Sequence, residues 1–372
     1  MNVLITGGAG FIGSHTARAL IERGDRVRIL DAFTEPVHAP GWSPNLPEAA
    51  EVVRGDVRSK QDWIDALDGI EAVVHLAAYQ DYGLDFSRFL HVNAAGTALL
   101  YEVIVEGGAE IRRVVYASSQ SVYGEGQVRC DRDGVTAAAQ RRAEDLARGD
   151  WSVRCAVCGA ICEPASMTET FANPHNAYGI AKLAGEQAAL TLGEQHGVPT
   201  VALRYAIVHG PWQSPRNAYS GLLRAACLSY LAGRAPVVFE DGAQSRDYVA
   251  IDDVISANLT ALDHPSVPGR VYNVGGPRSW TVLEVLEALS AIVDEPRAPE
   301  MPGIFRLGDV RHTIGDLRAL RALGWEPRTD LPPAWASYWR WLKGMDLPAD
   351  VAGDALADMQ AKGILRKSNQ TT

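Results

Sequence analysis

The chain has 372 residues, 47% hydrophobic and 22% charged, with a formal net charge of −10 at pH 7. That is a globular composition, long enough for one large domain and a smaller one, and its acidic balance without a long basic run argues against nucleic acid and anionic membranes as partners. No apolar run reaches bilayer length, five cysteines are too few for a disulfide scaffold, and no leader precedes the first strand pattern, so the cytoplasm is the expected location.

Val3 to Ile5 read as a buried strand, Thr6-Gly7-Gly8-Ala9-Gly10-Phe11-Ile12-Gly13 as a glycine turn, and Ser14 to Glu22 as a helix. Glycines are required in such a turn because a Cβ would hold a pyrophosphate away from the amides at the helix N-terminus. A second strand, Arg26 to Leu30, leads to Asp31, about 20 residues past the turn, where a carboxylate takes the ribose hydroxyls of an adenosine. The arrangement is that of a dinucleotide site. Asp31, with Ala32-Phe33 and no arginine beside it, repels a 2′-phosphate and favours NAD over NADP.

Further strands are expected at Ala72 to His75 and Arg113 to Ala117, with a helix over Asn93 to Glu106. Such alternation argues for an α/β fold, a Rossmann-type doubly wound parallel sheet. The strand ends, where ligands of such sheets bind, carry Asp31, Asp56, His75-Leu76-Ala77-Ala78 and Ser118-Ser119. The texture changes near Asn217: a helix over Leu222 to Ala232, then Val237-Val238-Phe239 and the turn Glu240-Asp241-Gly242. The domain reading is a cofactor domain over 1–216 with an insert at about 125–170, and a smaller C-terminal α/β substrate lobe over 217–345. Segment 252–275 returns to the first domain. The tail, 346–372, holds an amphipathic helix over Val351 to Lys362 and frayed last residues.

Two motifs bear chemistry. In Tyr178-Gly179-Ile180-Ala181-Lys182, the tyrosine and lysine are four apart and share a helix face. A phenol with a pKa near 10 becomes a useful base beside an ammonium and a cationic nicotinamide. Upstream, Ser118-Ser119-Gln120-Ser121-Val122-Tyr123-Gly124 places hydroxyls at a strand end; Ser119 is assigned as the proton relay and Ser118 lies nearer the cofactor.

Together these residues resemble an extended short-chain dehydrogenase/reductase of the NAD-dependent epimerase/dehydratase family. The resemblance rests on Thr6 to Gly13, Asp31, Gly55-Asp56-Val57, His75 to Ala78, Asn93, the serine motif, Tyr178 to Lys182, Leu203-Arg204-Tyr205, Gly210-Pro211 and Arg246-Asp247-Tyr248-Val249. It implies an NAD cleft lined by Gly7, Gly10, Phe11, Ile12, Gly13, Asp31, Asp56, Val57, Leu76, Ala77, Ala78, Asn93, Ser118, Tyr178, Lys182, Tyr205 and Val208. It implies Ser119, Tyr178 and Lys182 as catalytic residues. Ser119, Gln120, Gln213, Arg246 and Arg311 would meet a nucleotide-diphosphate sugar, the two arginines clamping its diphosphate. A homodimer through a helix bundle that includes the Tyr178 helix is implied as well.

Family 4,6-dehydratases need an Asp-Glu pair just after the catalytic hydroxyl residue, and decarboxylases keep the glutamate. Here Gln120 and Ser121 stand in those places. The remaining chemistry is epimerisation at C4: oxidation, rotation of the 4-keto sugar, and re-reduction from the other face. The alternatives are a 4-ketoreductase or dehydrogenase and a non-catalytic NAD-binding regulator. Gly210-Pro211-Trp212-Gln213-Ser214, Phe239 to Gly242 and Gly308-Asp309-Val310-Arg311-His312 are similar to bacterial 4-epimerases of dTDP-linked 6-deoxysugars, which usually place an asparagine where Ile207 stands. The nucleotide, dTDP, GDP or UDP, therefore stays open.

The stretch between Tyr123 and Tyr178 is longer than the family pattern and contains Cys130, Cys155, Cys158 and Cys162. Cys155 and Cys158 form a CxxC, half of a zinc ribbon. Members of the resembled subgroup carry CxxH or CxxC in the first half, where this chain has Cys130-Asp131-Arg132-Asp133. A structural zinc on Cys130, Cys155 and Cys158 with Asp133 or Cys162 is one reading; a metal-free remnant is the other.

Overall fold

A computed structural model describes residues 1–35, 37–38, 45–81, 83–217, 221–347, 356–357 and 359–369. Its first half runs β1 (Asn2–Thr6), α1 (Phe11–Glu22), β2 (Arg26–Asp31), β3 (Glu51–Arg54), α2 (Lys60–Leu67), β4 (Ala72–His75), α3 (Phe86–Leu90), α4 (Gly96–Gly107) and β5 (Arg113–Ser119). The insert follows with β6 (Gln127–Cys130), β7 (Gly134–Ala137), α5 (Ala143–Ala147) and β8 (Glu163–Ala165). Then come α6 (Ala177–His196), β9 (Thr200–Tyr205), β10 (Ile207–His209), α7 (Gly221–Leu231), β11 (Ser245–Ala250), α8 (Ile251–Asp263) and β12 (Arg270–Val274). The chain ends with β13 (Ser279–Thr281), α9 (Val282–Ser290), β14 (Ile304–Arg306), β15 (His312–Thr313), α10 (Arg318–Arg321), α11 (Leu331–Lys343) and β16 (Leu365–Lys367).

Seven parallel strands form the main sheet in the order β12-β9-β5-β4-β1-β2-β3. Side chains alternate across a strand, so each strand feeds two cores. Val3 and Ile5 of β1 pack with Ala17 and Leu20 of α1 and with Val254 and Ala257 of α8. Leu4 between them packs the other way, with Trp63 of α2, Leu100 and Ile104 of α4, and Ala189 of α6. The strand order reverses between β1 and β4, the switch point where such sheets bind ligands.

Residues 252–275 contribute α8 and β12, and β12 extends the main sheet beside β9 in register from Arg270–Val201 to Val274–Tyr205. β10 lies before the expected boundary at 217 yet joins the second sheet, parallel to β11. β11 also pairs with β13 and β15. A third apolar cluster of Leu223, Tyr248, Leu286, Trp335 and Tyr338 fills the smaller lobe. The insert is a three-stranded antiparallel sheet, β7-β6-β8.

Two expected helix starts change. The first helix begins at Phe11, inside the glycine turn, so the turn delivers its amides straight into a helix N-terminus. The helix expected from Asn93 starts as a wide turn over His91–Ala95 before α4. In the tail, β16 pairs with β14, and the amides of Ser368 and Asn369 donate to Gly303 O and Ala147 O at 2.7 Å each; the last residues, 370–372, expected to be frayed, lie outside the described residues. Of the tail helix, Leu356, Ala357 and Met359 to Ala361 are helical; Val351 to Ala355 lie outside the described residues.

Candidate active site

A cleft of about 370 Å³ opens at the carboxyl ends of the main strands. Its floor is the turn after β1. Gly7 has φ +65, and a Cβ there would meet the backbone N of Ala77 at 2.8 Å, so no other residue fits. Asp31 fastens this turn: its carboxylate accepts the Ala9 amide at 3.0 Å and the Phe33 amide at 2.8 Å. Thr6 and His75 bond at 2.6 Å across β1 and β4, and burial holds the imidazole down at about 3, hence neutral.

α6 brings the phenol in. Asn176 caps the helix by accepting the Gly179 amide at 2.7 Å. Gly185 lets it approach β5, since a Cβ there would lie 2.2 Å from Asn93 O and 2.3 Å from the Tyr116 hydroxyl. Tyr178 and Lys182 are 5% and 2% exposed, one turn apart on the cleft side. Gln80 Nε2 donates to the Tyr178 hydroxyl at 2.7 Å, and Ser119 hydrogen-bonds the same phenol. Ser119 in turn accepts the Ser121 amide at 3.1 Å.

The electrostatics differ from the expectation. Burial pushes Tyr178 up to about 12, against the hydrogen bonds from Gln80 and Ser119. Burial brings Lys182 down to about 7, opposed by Glu186. Gln80 and Ser119 lower the phenol. Lys182 Nζ lies 4.9 Å from the centre of the Tyr116 ring.

The cleft is lined by Gly7, Gly10, Phe11, Ile12, Gly13, Asp31, Asp56 and Val57 at the expected nucleotide end, and by Leu76, Ala77 and Ala78 beside the glycine turn. Ser118, Ser119, Gln120, Tyr178, Lys182, Tyr205, Val208 and Gln213 line the remainder, with Ile207 among them. Ser118 spends its hydroxyl on Glu186 at 2.6 Å. Glu186 also pairs with Arg204 at 2.6 Å, and the buried pair ties α6 to β9.

Three expected site residues are not in the lining. Asn93 is buried beneath it and clamps the chain after β4, accepting the Tyr79 amide at 2.8 Å and donating to Tyr79 O at 3.0 Å. Arg311, expected as a diphosphate clamp, is committed to carboxylates: Glu240 at 2.8 Å and both oxygens of Asp241 at 2.7 and 2.8 Å. Arg246 donates to Arg311 O at 2.8 Å and to Asp309 at 3.2 Å. The turn after Phe239 supplies the acids that neutralise Arg311, and Asp309 neutralises Arg246. Sequence reasoning missed Gln80, whose only signal was its place two residues beyond Ala78, at the end of a motif already assigned to the cleft.

Residues 3–142 and 155–275 match the model of the NAD dependent epimerase/dehydratase family. A dTDP-L-rhamnose 4-epimerase of Burkholderia thailandensis is 32% identical over 349 residues, 91% of this chain and 94% of that protein. The structure of Thermotoga maritima UDP-glucose 4-epimerase with UDP-glucose superposes with TM-score 0.74 at 28% identity, covering 92% of this chain and 99% of that one. Thermus thermophilus UDP-glucose 4-epimerase in complex with NAD gives 0.71 at 26% identity, over 93% and 100% of the two chains. A family match over most of the chain, together with these relatives, settles the classification: the protein belongs to the NAD dependent epimerase/dehydratase family.

Proposed function

We propose that the protein is an NAD-dependent nucleotide-sugar 4-epimerase. The observation that carries the reading is a buried phenol, Tyr178, held by Ser119 and Gln80 in the same cleft as the glycine turn and Asp31.

The chain's residues suit NAD. The Gly7 to Gly13 turn carries no side chain at Gly7, Gly8, Gly10 and Gly13 and runs into the α1 N-terminus, which favours a diphosphate. Asp31 uses one amide on each oxygen, which leaves lone pairs for ribose hydroxyls and repels a 2′-phosphate. Asp56 and Val57 flank the opposite wall. Lys182 would hold the nicotinamide ribose. NAD held there would supply reversible hydride acceptance at a sugar carbon.

The rest of the work belongs to the protein. Tyr178 takes the proton of the C4 hydroxyl and later returns it, with Ser119 relaying between phenol and sugar oxygen. Gln80 donates to the phenol oxygen and so favours the phenolate. Gln120 and Ser121 offer no carboxyl group to protonate a leaving hydroxyl, which argues against dehydration. Gln213 and Ile207, at the second sheet's edge of the cleft, would contact the sugar.

The assembly proposed with this activity is a homodimer. Leu84, Phe86, Leu90 and Ile180 are 69%, 57%, 43% and 49% exposed, on or beside α3 and on α6. Sedimentation should give twice the chain mass, and Phe86→Glu should halve it. Among the described residues no helix is long and apolar enough to cross a membrane.

The decisive assay incubates the purified protein with UDP-, dTDP- and GDP-hexoses or deoxyhexoses without added reductant, and follows the C4 epimer by NMR. Formation of an epimer without net change of NAD supports the proposal. No epimer from any of them, with reduction of a 4-keto sugar on adding NADPH, replaces it with a ketoreductase.

A further inference from the structure

The insert after β5 carries a cluster that hydride and proton transfer do not use. Cys130 ends β6, and Asp131-Arg132-Asp133-Gly134 turns the chain into β7. Cys155-Ala156-Val157-Cys158-Gly159 makes a second turn of the same form: two donor side chains three apart, then a glycine. Both glycines are left-handed, Gly134 at φ +73 and Gly159 at φ +74, with open space around them. It is therefore backbone conformation, not packing, that calls for glycine at the end of each turn. The second turn is closed by Gly159 N donating to Cys155 O at 3.0 Å, and the Val157 amide points at Cys155 Sγ at 3.3 Å.

The two turns face each other. Cys130 Sγ lies 3.5 Å from Cys158 Sγ, and Asp133 Oδ2 lies 3.3 Å from Cys130 Sγ and 3.2 Å from Cys155 Sγ. All four donor atoms fall within 4.8 Å of one another. A tetrahedral zinc with bonds of roughly 2.3 Å to sulfur and 2.1 Å to oxygen has donor-to-donor edges of roughly 3.6–3.8 Å, so the cluster is close to the size of that polyhedron. The thiols are not joined in disulfides. Cys162 lies beside the group, in contact with Cys130, but is not among the four converging donors and donates to Ala160 O at 3.4 Å.

The surrounding fold supplies the reason for a cross-link. The insert's own buried apolar cluster is Val128, Cys130, Ala138, Val153 and Cys155, so two of its five members are themselves candidate ligands. A unit of this size rarely buries enough to hold a unique shape unaided.

We infer that Cys130, Asp133, Cys155 and Cys158 bind one zinc ion, a structural site closed by four protein ligands. Three sulfurs select a borderline-soft ion over magnesium or calcium. On binding, the three thiols release their protons to solvent and the carboxylate, already ionised, supplies the fourth bond. The ion holds the β6–β7 turn against the Cys155 turn. From this unit Arg141 reaches Glu240 at 2.9 Å and Asp309 O at 3.0 Å, while Glu125 accepts the Arg311 amide at 2.7 Å. The zinc thereby steadies the insert where it latches onto the smaller lobe.

The test is metal content of the full chain, purified under reducing conditions without chelator. Elemental analysis, and zinc release by a mercurial thiol reagent, should give one zinc per chain for the native protein and for Cys162→Ser. Asp133→Ala and Cys158→Ser should lose it, whereas Asp133→Cys should keep it. Should the ligand variants fail to fold, cobalt exchange into the native protein still decides. The expected spectrum is that of tetrahedral cobalt with thiolate charge-transfer bands. Absence of zinc after refilling the reduced native protein overturns the proposal. So does a Cys130–Cys158 disulfide in that protein, or loss of the metal in Cys162→Ser with retention in Asp133→Ala.

Discussion

In the main sheet both faces are covered. Val3 and Ile5 point into one core and Leu4 into another, and the inner strands β1, β4, β5 and β9 are almost wholly buried. In the insert, by contrast, the sheet of β6, β7 and β8 has a core of five side chains. The difference teaches where polar chemistry is tolerated. A lobe with two large cores can end its strands in Asp31, Ser118 and Ser119 and bury a lysine and a tyrosine, because stability is secured elsewhere. A small unit has no such reserve, and its polar groups must themselves hold it together. Where the insert meets the smaller lobe a third course is taken, with Arg141 and Glu125 of the insert set among Arg246, Arg311, Glu240, Asp241 and Asp309 of the lobe.

The comparison is broken most directly at the phenol. Tyr178→Phe removes the proposed base from a region whose fold rests on apolar burial. The expected result is a loss of about 10²–10⁴ in kcat with little change in the urea midpoint. If the variant unfolds, the sheet lobe has no reserve; if it turns over normally, the mechanism fails.

Arg311→Met probes the charged network. Glu240 is 1% exposed at its side chain and would lose one of its two arginine partners. Removing one member of a buried charge set costs about 3–5 kcal/mol, read as a drop in the urea midpoint. A rise in KM for the nucleotide sugar with unchanged stability would instead restore Arg311 as a diphosphate clamp. Gly185→Ala is next: its Cβ would strike Asn93 O and the Tyr116 hydroxyl, and overpacking of that kind costs about 1–3 kcal/mol. Calorimetry on the full chain measures it, and an unchanged melting temperature would show that α6 can shift away from β5.

How much of this was legible depended on how local the cause was. The glycine turn, Asp31, the strands at Ala72 to His75 and Arg270 to Val274, and the Tyr178–Lys182 spacing each write their geometry in a few adjacent residues. Asn93 was placed in the cleft because its motif is shared with cleft residues. Its actual work, clamping Tyr79, depends on a fold-back between segments 14 residues apart. The partners of the arginines were hidden for a similar reason: an arginine beside a candidate phosphate site and one beside acidic side chains look alike until Asp309 and the turn after Phe239 are folded against them. The fourth member of the cysteine cluster could not be chosen between Asp133 and Cys162 until the two turns were seen to face each other.

The finest prediction concerns Gln80. Its amide donates to the Tyr178 hydroxyl at 2.7 Å, and with Ser119 it opposes the burial that pushes the phenol up to about 12. A donor to a phenol oxygen stabilises the phenolate more than the neutral form, so removing it raises the phenol further. The base then holds its active form only at higher pH, and the rising limb of kcat/KM moves in the alkaline direction. For Gln80→Ala the expected loss at neutral pH is about ten-fold, the equivalent of about 1.4 kcal/mol, which the rate recovers as pH is raised. Gln80→Glu should shift the limb the same way, because a carboxylate beside the phenolate repels it. If Gln80 merely packs against the sugar, both variants would raise KM and leave the pH profile where it was. Full pH profiles of kcat and kcat/KM for the two variants separate these cases, and only a moving limb ties this side chain to the phenol's proton.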